Sequence, residues 1–157
     1  MRYTRLPHLV PALALALAGT AALAATASDV IAARQAHYKD IGRAFKGIND
    51  QLKSATPDLA VIKANAAIVT SLGQQQNKEN WFPAGTQSGQ GLQTAAKPAI
   101  WQNPADFTAK RADFAKASSP YAAIAAKGNI DAIKAATADV GKTCKGCHET
   151  YRDQDKS

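Results

Sequence analysis

An all-α fold, an antiparallel four-helix bundle, is what this sequence predicts, and three observations carry the prediction. Apolar residues recur at alternating steps of three and four along four separate segments. Alanine is abundant, and alanine loses no side-chain entropy in a helix. The connections between the segments are mostly short, which makes consecutive helices antiparallel neighbours.

Residues 1–27 read as a secretory signal peptide. Arg2 and Arg5 supply the positive start, and Leu9 to Ala24 is an apolar stretch ending in small residues. Cleavage after Ala24 and after Ala27 both satisfy the small-x-small rule, and residues 28–157 are taken as the mature domain. An uncleaved anchor competes, but Gly19 and Thr20 interrupt a stretch already short for a span of about 20 residues, so no membrane anchor is expected after cleavage. Loss of Arg2 and Arg5 takes the formal charge from +7 to +5, and loss of Met1 leaves no methionine at all. The positive balance is mild and spread along the chain without a Lys/Arg block. It excludes a nucleic-acid footprint and suits soft attraction to an acidic partner.

The first helix follows from the stripe Ile31, Tyr38, Ile41, Phe45, Ile48 and Leu52, with Arg34 in one slot of the same seam. Pro57 and Asp58 punctuate, and Leu59, Ile62, Ala66 and Val69 give a second helix over about 58–73, ending near Gly73. Residues 74–103 turn to Gln, Gly, Pro and Thr, with Trp81, Phe82 and Trp101 among them; a connection this long in a small domain is functional or disordered, and the aromatics argue that parts of it pack. Asn103-Pro104 starts a third helix carrying Phe107, Phe114, Tyr121 and Ile124 as far as Gly128. Pro120 predicts a kink or break near Ser119, because proline removes a backbone donor and crowds the preceding turn. Asn129 caps a fourth helix with the seam Ile133, Thr137, Val140, Cys144, Cys147 and Tyr151.

That last seam ends in Cys144-Lys145-Gly146-Cys147-His148, the C-x-x-C-H pattern of covalent haem c attachment. Residues three and four apart share a helix face, so two thiols reach the two vinyl groups while His148 turns its imidazole to the iron. Export fits, since c-type attachment takes place outside the bacterial cytoplasm; the expected location is the periplasm. Three other uses of the motif compete. A disulfide between Cys144 and Cys147 would close only a tiny loop. A thioredoxin-like redox site needs a strand before the motif. Zinc wants four ligands, and His37 is the only other histidine of the mature chain.

With these residues in view, the mature chain resembles the class II cytochromes c, in particular cytochrome c-prime. The resemblance is carried by Arg34-Gln35 with a bulky residue at Tyr38, by Trp81-Phe82-Pro83-Ala84-Gly85-Thr86, by Ile100-Trp101, and by Asp139-Val140-Gly141 before the haem motif with Tyr151-Arg152 behind it. It implies one haem c bound through Cys144 and Cys147, iron ligated by His148, and Arg34 and Gln35 on the haem propionates. Bidentate pairing gives Arg34 a physical warrant for that role, with snorkelling to solvent as the alternative. It also implies that Thr86 approaches the haem edge, that Trp81, Phe82 and Trp101 either close one side of the pocket or anchor the loop, and that Arg152 either influences His148 or complements the helix dipole.

Low-spin members of the family carry a methionine where this chain has Tyr38. Without a mature methionine, that ligand is excluded by inventory. His37 is the other candidate, but it lies about 100 degrees round the helix from Tyr38, off the seam. Tyr38 as a phenolate ligand is less expected than Tyr38 as packing over the iron, because the phenol titrates near 10. The expected state is therefore five-coordinate and high-spin, with Tyr38 shielding the open face, and the expected chemistry is one-electron transfer, binding of small diatomic gases (NO, CO), or both. A His37-ligated, six-coordinate electron carrier is the alternative. A haem enzyme is not expected, because the seam offers no distal acid-base group. The expected partners are an acidic redox protein and a gas ligand, with a homodimer through helix one set beside a monomer.

Overall fold

The computed structural model describes residues 16–89 and 91–155, with side chains from residue 27 onward. Of the leader expected over 1–27, residues 1–15 lie outside the described residues. From Ala16 the backbone is already part of α1 (Ala16–Lys53). There follow α2 (Leu59–Lys78), the single turn α3 (Ala99–Gln102), α4 (Pro104–Ser118), α5 (Tyr121–Lys127) and α6 (Ile130–Tyr151). Among the described residues no helix is long and apolar enough to cross a membrane.

Sequence chemistry sets each boundary. Asp58 caps α2, its carboxylate accepting from the amides of Ala60 (2.8 Å) and Val61 (3.3 Å). Pro104 opens α4 at a position where its missing N–H is no loss. Pro120 divides the third bundle helix into α4 and α5, as expected. The break is bridged from α2, where Thr70 Oγ1 donates to the Ser118 carbonyl (2.9 Å) and accepts from the Ala122 amide (3.1 Å). Gly128 ends α5 at φ 73°, a left-handed conformation that glycine adopts without strain. Asn129 then caps α6 by accepting from the Ala132 amide at 3.0 Å.

The expected end of the second helix at Gly73 is corrected, since α2 runs on to Lys78. Glycine weakens a helix without stopping it, and here it serves a crossing. A Cβ on Gly73 would lie 2.2 Å from Ser118 Oγ and 3.2 Å from a Phe114 ring carbon, so α2 and α4 meet closely only because that atom is missing.

The four long elements, counting α4 and α5 as one, form an antiparallel four-helix bundle. α1 packs on α2, α2 on α4 and α5, and these on α6, which returns to α1, while the single turn α3 touches α4 and α6. Ile48, Ile62, Val69, Tyr121, Ile133 and Val140 are fully buried between them. The Tyr121 hydroxyl and Thr137 Oγ1 satisfy each other inside this core at 2.6 Å. A second apolar cluster of Ala96, Ile100, Phe107 and Tyr151 sits where the long connection meets α6. Backbone bonds fasten the connection there, from Lys97 N to Tyr151 O (3.0 Å) and from Asp153 N to Ala95 O (2.8 Å). The segment expected to be functional or disordered thus packs as the end wall of the bundle.

Candidate haem site

A cavity of about 580 Å³ opens between α1, α4, α6 and the long connection, within the range of small-molecule and cofactor sites. α6 contributes Cys144, Cys147, His148 and Arg152 to its wall; α1 contributes Arg34, Gln35, Tyr38, Gly42 and Phe45. Phe107, Arg111 and Phe114 come from α4, and Phe82, Thr94, Ala96 and Ile100 from the connection and α3. The seam spacing explains the α6 set, because residues 144, 147 and 148 fall within one helix face.

Both thiols are free. Burial raises the pKa of each, and Cys147, with the Cys144 thiol beside it, is pushed up to about 11. Burial acts on His148 in the opposite sense and, with the Arg152 cation nearby, holds its pKa below the ordinary histidine value. His148 therefore offers a neutral imidazole at neutral pH, the form that binds a metal.

Tyr38 stands on the α1 wall, its O–H donating to Oε1 of Gln76 at 2.7 Å and its ring edge-on to Trp81 with centroids 5.5 Å apart. Burial drives its pKa above the ordinary phenol value. His37 does not line the cavity. It stacks on Trp81 at 4.5 Å between centroids, held off the seam as its position on the helix predicts.

Arg34 is 3% exposed and all four terminal N–H groups of its guanidinium are used by the connection. Nη1 donates to Trp81 O (3.1 Å) and Thr86 Oγ1 (2.9 Å), and Nη2 donates to Thr86 O (3.0 Å) and Thr94 Oγ1 (2.9 Å). The cation also lies 4.6 Å over the Phe82 ring. Burial lowers its pKa to about 10, which leaves it charged at neutral pH. Snorkelling to solvent is thereby excluded. Gln35 also lines the cavity, and its Nε2 donates to Gln93 O at 2.8 Å.

Thr86, expected at the haem edge, lies one layer behind the cavity wall. It is 1% exposed, does not line the cavity, and sits behind Arg34, donating to Pro83 O at 2.8 Å while accepting from the guanidinium. Thr94 takes the wall position instead. Of the loop aromatics only Phe82 lines the cavity; Trp101 Nε1 donates to Phe82 O (3.2 Å) and Trp81 Nε1 to Glu79 (3.0 Å), so the two tryptophans anchor the loop.

Sequence reasoning missed Gln76, Thr94 and Arg111. Gln76 continues the seam Ile62, Ala66, Val69, Gly73 by three residues, and was hidden by ending the helix at Gly73. Arg111 lies four after Phe107 and three before Phe114, on the stripe of the third helix.

These residues fit a haem. The walls are largely apolar, one helix face presents two thiols and an adjacent imidazole, and Arg111 Nε is buried with no hydrogen-bond partner. Gly42 adds room, since a Cβ there would meet nothing within 4 Å.

Known proteins agree. The family model described as Cytochrome C' matches residues 29–152. The chain belongs to the cytochrome c' family. Cytochrome c' of Cereibacter sphaeroides is 34% identical over 133 residues, covering 84% of this chain and 88% of that one. The crystal structure of cytochrome c' from Thermochromatium tepidum superposes with a TM-score of 0.75 at 31% identity, covering 82% of this chain and 97% of the other. A nitric oxide complex of a mutant cytochrome c prime from Alcaligenes xylosoxidans superposes with a TM-score of 0.69 at 31% identity over 82% and 96% of the two chains. The cofactor of a cytochrome c' is one covalently bound haem c, in agreement with the donor set in the cavity.

Proposed function

We propose that this chain is a periplasmic haem protein with a five-coordinate, high-spin iron that binds small diatomic gases and undergoes one-electron change, without being an enzyme. Cys144 and Cys147 form the thioethers and His148 is the iron ligand. Bound there, the haem supplies a redox-active iron with an open coordination position. The carrying observation is the make-up of the wall facing that position: α1 presents Tyr38, while His37 is stacked on Trp81 outside the cavity.

The chain's own groups do the rest. His148 is held neutral, Phe45, Phe107 and Phe114 exclude water, and the buried Tyr38 phenol stays protonated and covers the open face. Gln35 on the wall and Arg111 Nε, which has no hydrogen-bond partner, reach the haem propionates, while Arg34, its terminal N–H groups held by the loop with Thr86 behind it, draws the propionates by its charge alone. The nitric oxide complex of the Alcaligenes relative supports gas binding.

One-electron exchange with an acidic protein is the companion role. Lys39, Lys110, Arg111 and Arg152 border the cavity and favour such a partner, with association slowing as salt rises. Export by a leader cleaved within residues 1–27 and a homodimer belong to the same reading. Exposed Val61 (37%) and Ile68 (41%) on α2, beside α1, support the dimer.

Optical spectra of the oxidised, reduced and carbon monoxide-treated protein test the proposal. Broad high-spin bands with a large response to the gas are expected, together with faster carbon monoxide binding after Tyr38→Ala. Sharp low-spin bands without a gas response would replace it with the six-coordinate carrier. Mass spectrometry of the denatured protein should show one haem retained on the polypeptide, and none in the Cys144→Ala/Cys147→Ala variant.

A further inference from the structure

Gln76 is 2% exposed, lines the cavity, and uses its side chain for one hydrogen bond only, accepting the Tyr38 O–H at 2.7 Å. Its neighbours are occupied elsewhere: Gln74 donates to Ala115 O (2.7 Å) and Gln75 to Glu79 (3.1 Å). A buried carboxamide at a cavity wall is retained at a desolvation cost that a leucine would not incur. Its one structural return is the position of the Tyr38 ring.

We infer that Gln76 is the positioning residue of the gate: it latches Tyr38 across the open face of the site and so sets how fast a small diatomic gas enters. The inference rests on the five-coordinate reading above. Tyr38 is fixed at two points, its ring edge against Trp81 and its hydroxyl on Gln76. Because burial keeps the phenol protonated, the hydroxyl donates to Gln76 throughout the working pH range and is not available to a ligand in the cavity. Clearing the open face means swinging the ring away, and that breaks the hydrogen bond. The latch therefore adds to the entry barrier by the strength of one buried hydrogen bond, which corresponds to about a two- to tenfold slowing.

The test uses the holoprotein with Gln76→Leu, Tyr38→Phe, the double variant, and Gln76→Glu, which retains an acceptor. Gln76→Leu and Tyr38→Phe should each speed carbon monoxide association about two- to tenfold. The double variant should be no faster than the faster single one, and Gln76→Glu should stay close to the parent. Tyrosine ultraviolet resonance Raman spectra of the gas-free protein give a second readout, expected to show one donor hydroxyl lost in Gln76→Leu. If Gln76→Leu does not fold, Tyr38→Phe removes the same bond from the other side.

Parent-like association in both Gln76→Leu and Tyr38→Phe, or a tyrosine spectrum unchanged by Gln76→Leu, overturns the latch. If Tyr38→Ala is nevertheless fast, Tyr38 gates by bulk alone and the proposed function stands. Absence of any gas response in the parent overturns the function itself.

Discussion

Arg34 meets Thr86 twice, through Nη1 to the hydroxyl at 2.9 Å and through Nη2 to the backbone carbonyl at 3.0 Å. This pair joins α1 to the long connection and places a buried cation on the cavity wall. The same guanidinium also holds Trp81 O and Thr94 Oγ1, so one side chain fixes three separated points of a loop that has no regular structure of its own.

Removing it should therefore cost more than an ordinary surface arginine. Arg34→Ala leaves the carbonyls of Trp81 and Thr86 without a donor, while the Thr86 and Thr94 hydroxyls keep Pro83 O and the Ala96 amide as partners, and a loss of at least about 2 kcal/mol in unfolding free energy is expected, since each unsatisfied group costs about 1–3 kcal/mol. Arg34→Lys, with three donors and no planar fork, should lose less. Thr86→Val removes only the hydroxyl and should lose about 1–2 kcal/mol. Guanidinium unfolding checks all three, and an Arg34→Ala protein as stable as the parent would refute the strap.

Gly73 gives a different prediction. Its added Cβ would lie 2.2 Å from Ser118 Oγ and 3.1 Å from Ser118 Cβ, and Ser118 is fully buried. Gly73→Ala should destabilise by about 1–3 kcal/mol despite its better helix propensity, because the crossing of α2 and α4 is overfilled. Ser118→Ala removes the nearest atom, so the double variant should regain part of the loss. Strict additivity of the two changes in thermal unfolding would argue against the close crossing.

The bundle was legible because its seams are unusually regular: Ile41, Ile48, Ile133 and Val140 all fall where the three-four spacing put them, and all are buried. The α6 wall of the cavity was legible for the same reason, since Cys144, Cys147 and His148 form one continuous motif on one face and all three line the cavity. The opposite wall was only half legible. Tyr38 and Arg34 lie on a local stripe, but the partners that give them roles, Gln76 and Thr86, are 38 and 52 residues away in sequence, and no periodicity links them. Gly73 shows the other limit. A glycine that ends a helix and a glycine that admits a neighbouring helix look alike until the neighbour is in place.

Buried tyrosines set the alkaline limit of stability. Burial raises the pKa of Tyr38 and of Tyr121, and Tyr151, buried and bonded to the Asp106 carboxylate at 2.5 Å, is pushed up to about 12. In the unfolded chain each phenol titrates near 10. Above that pH the unfolded state loses protons that the folded state keeps, so folding stability is fully present below pH 10 and falls as pH rises beyond it. Each tyrosine still protonated in the fold adds up to about 1.4 kcal/mol per pH unit to the slope. Tyr38→Phe removes its share, so its stability curve between pH 10 and 11.5 should be shallower than the parent's. Denaturant midpoints measured at pH 8, 10 and 11 decide the matter: identical slopes for parent and variant would mean that the Tyr38 phenol ionises as readily in the fold as in water.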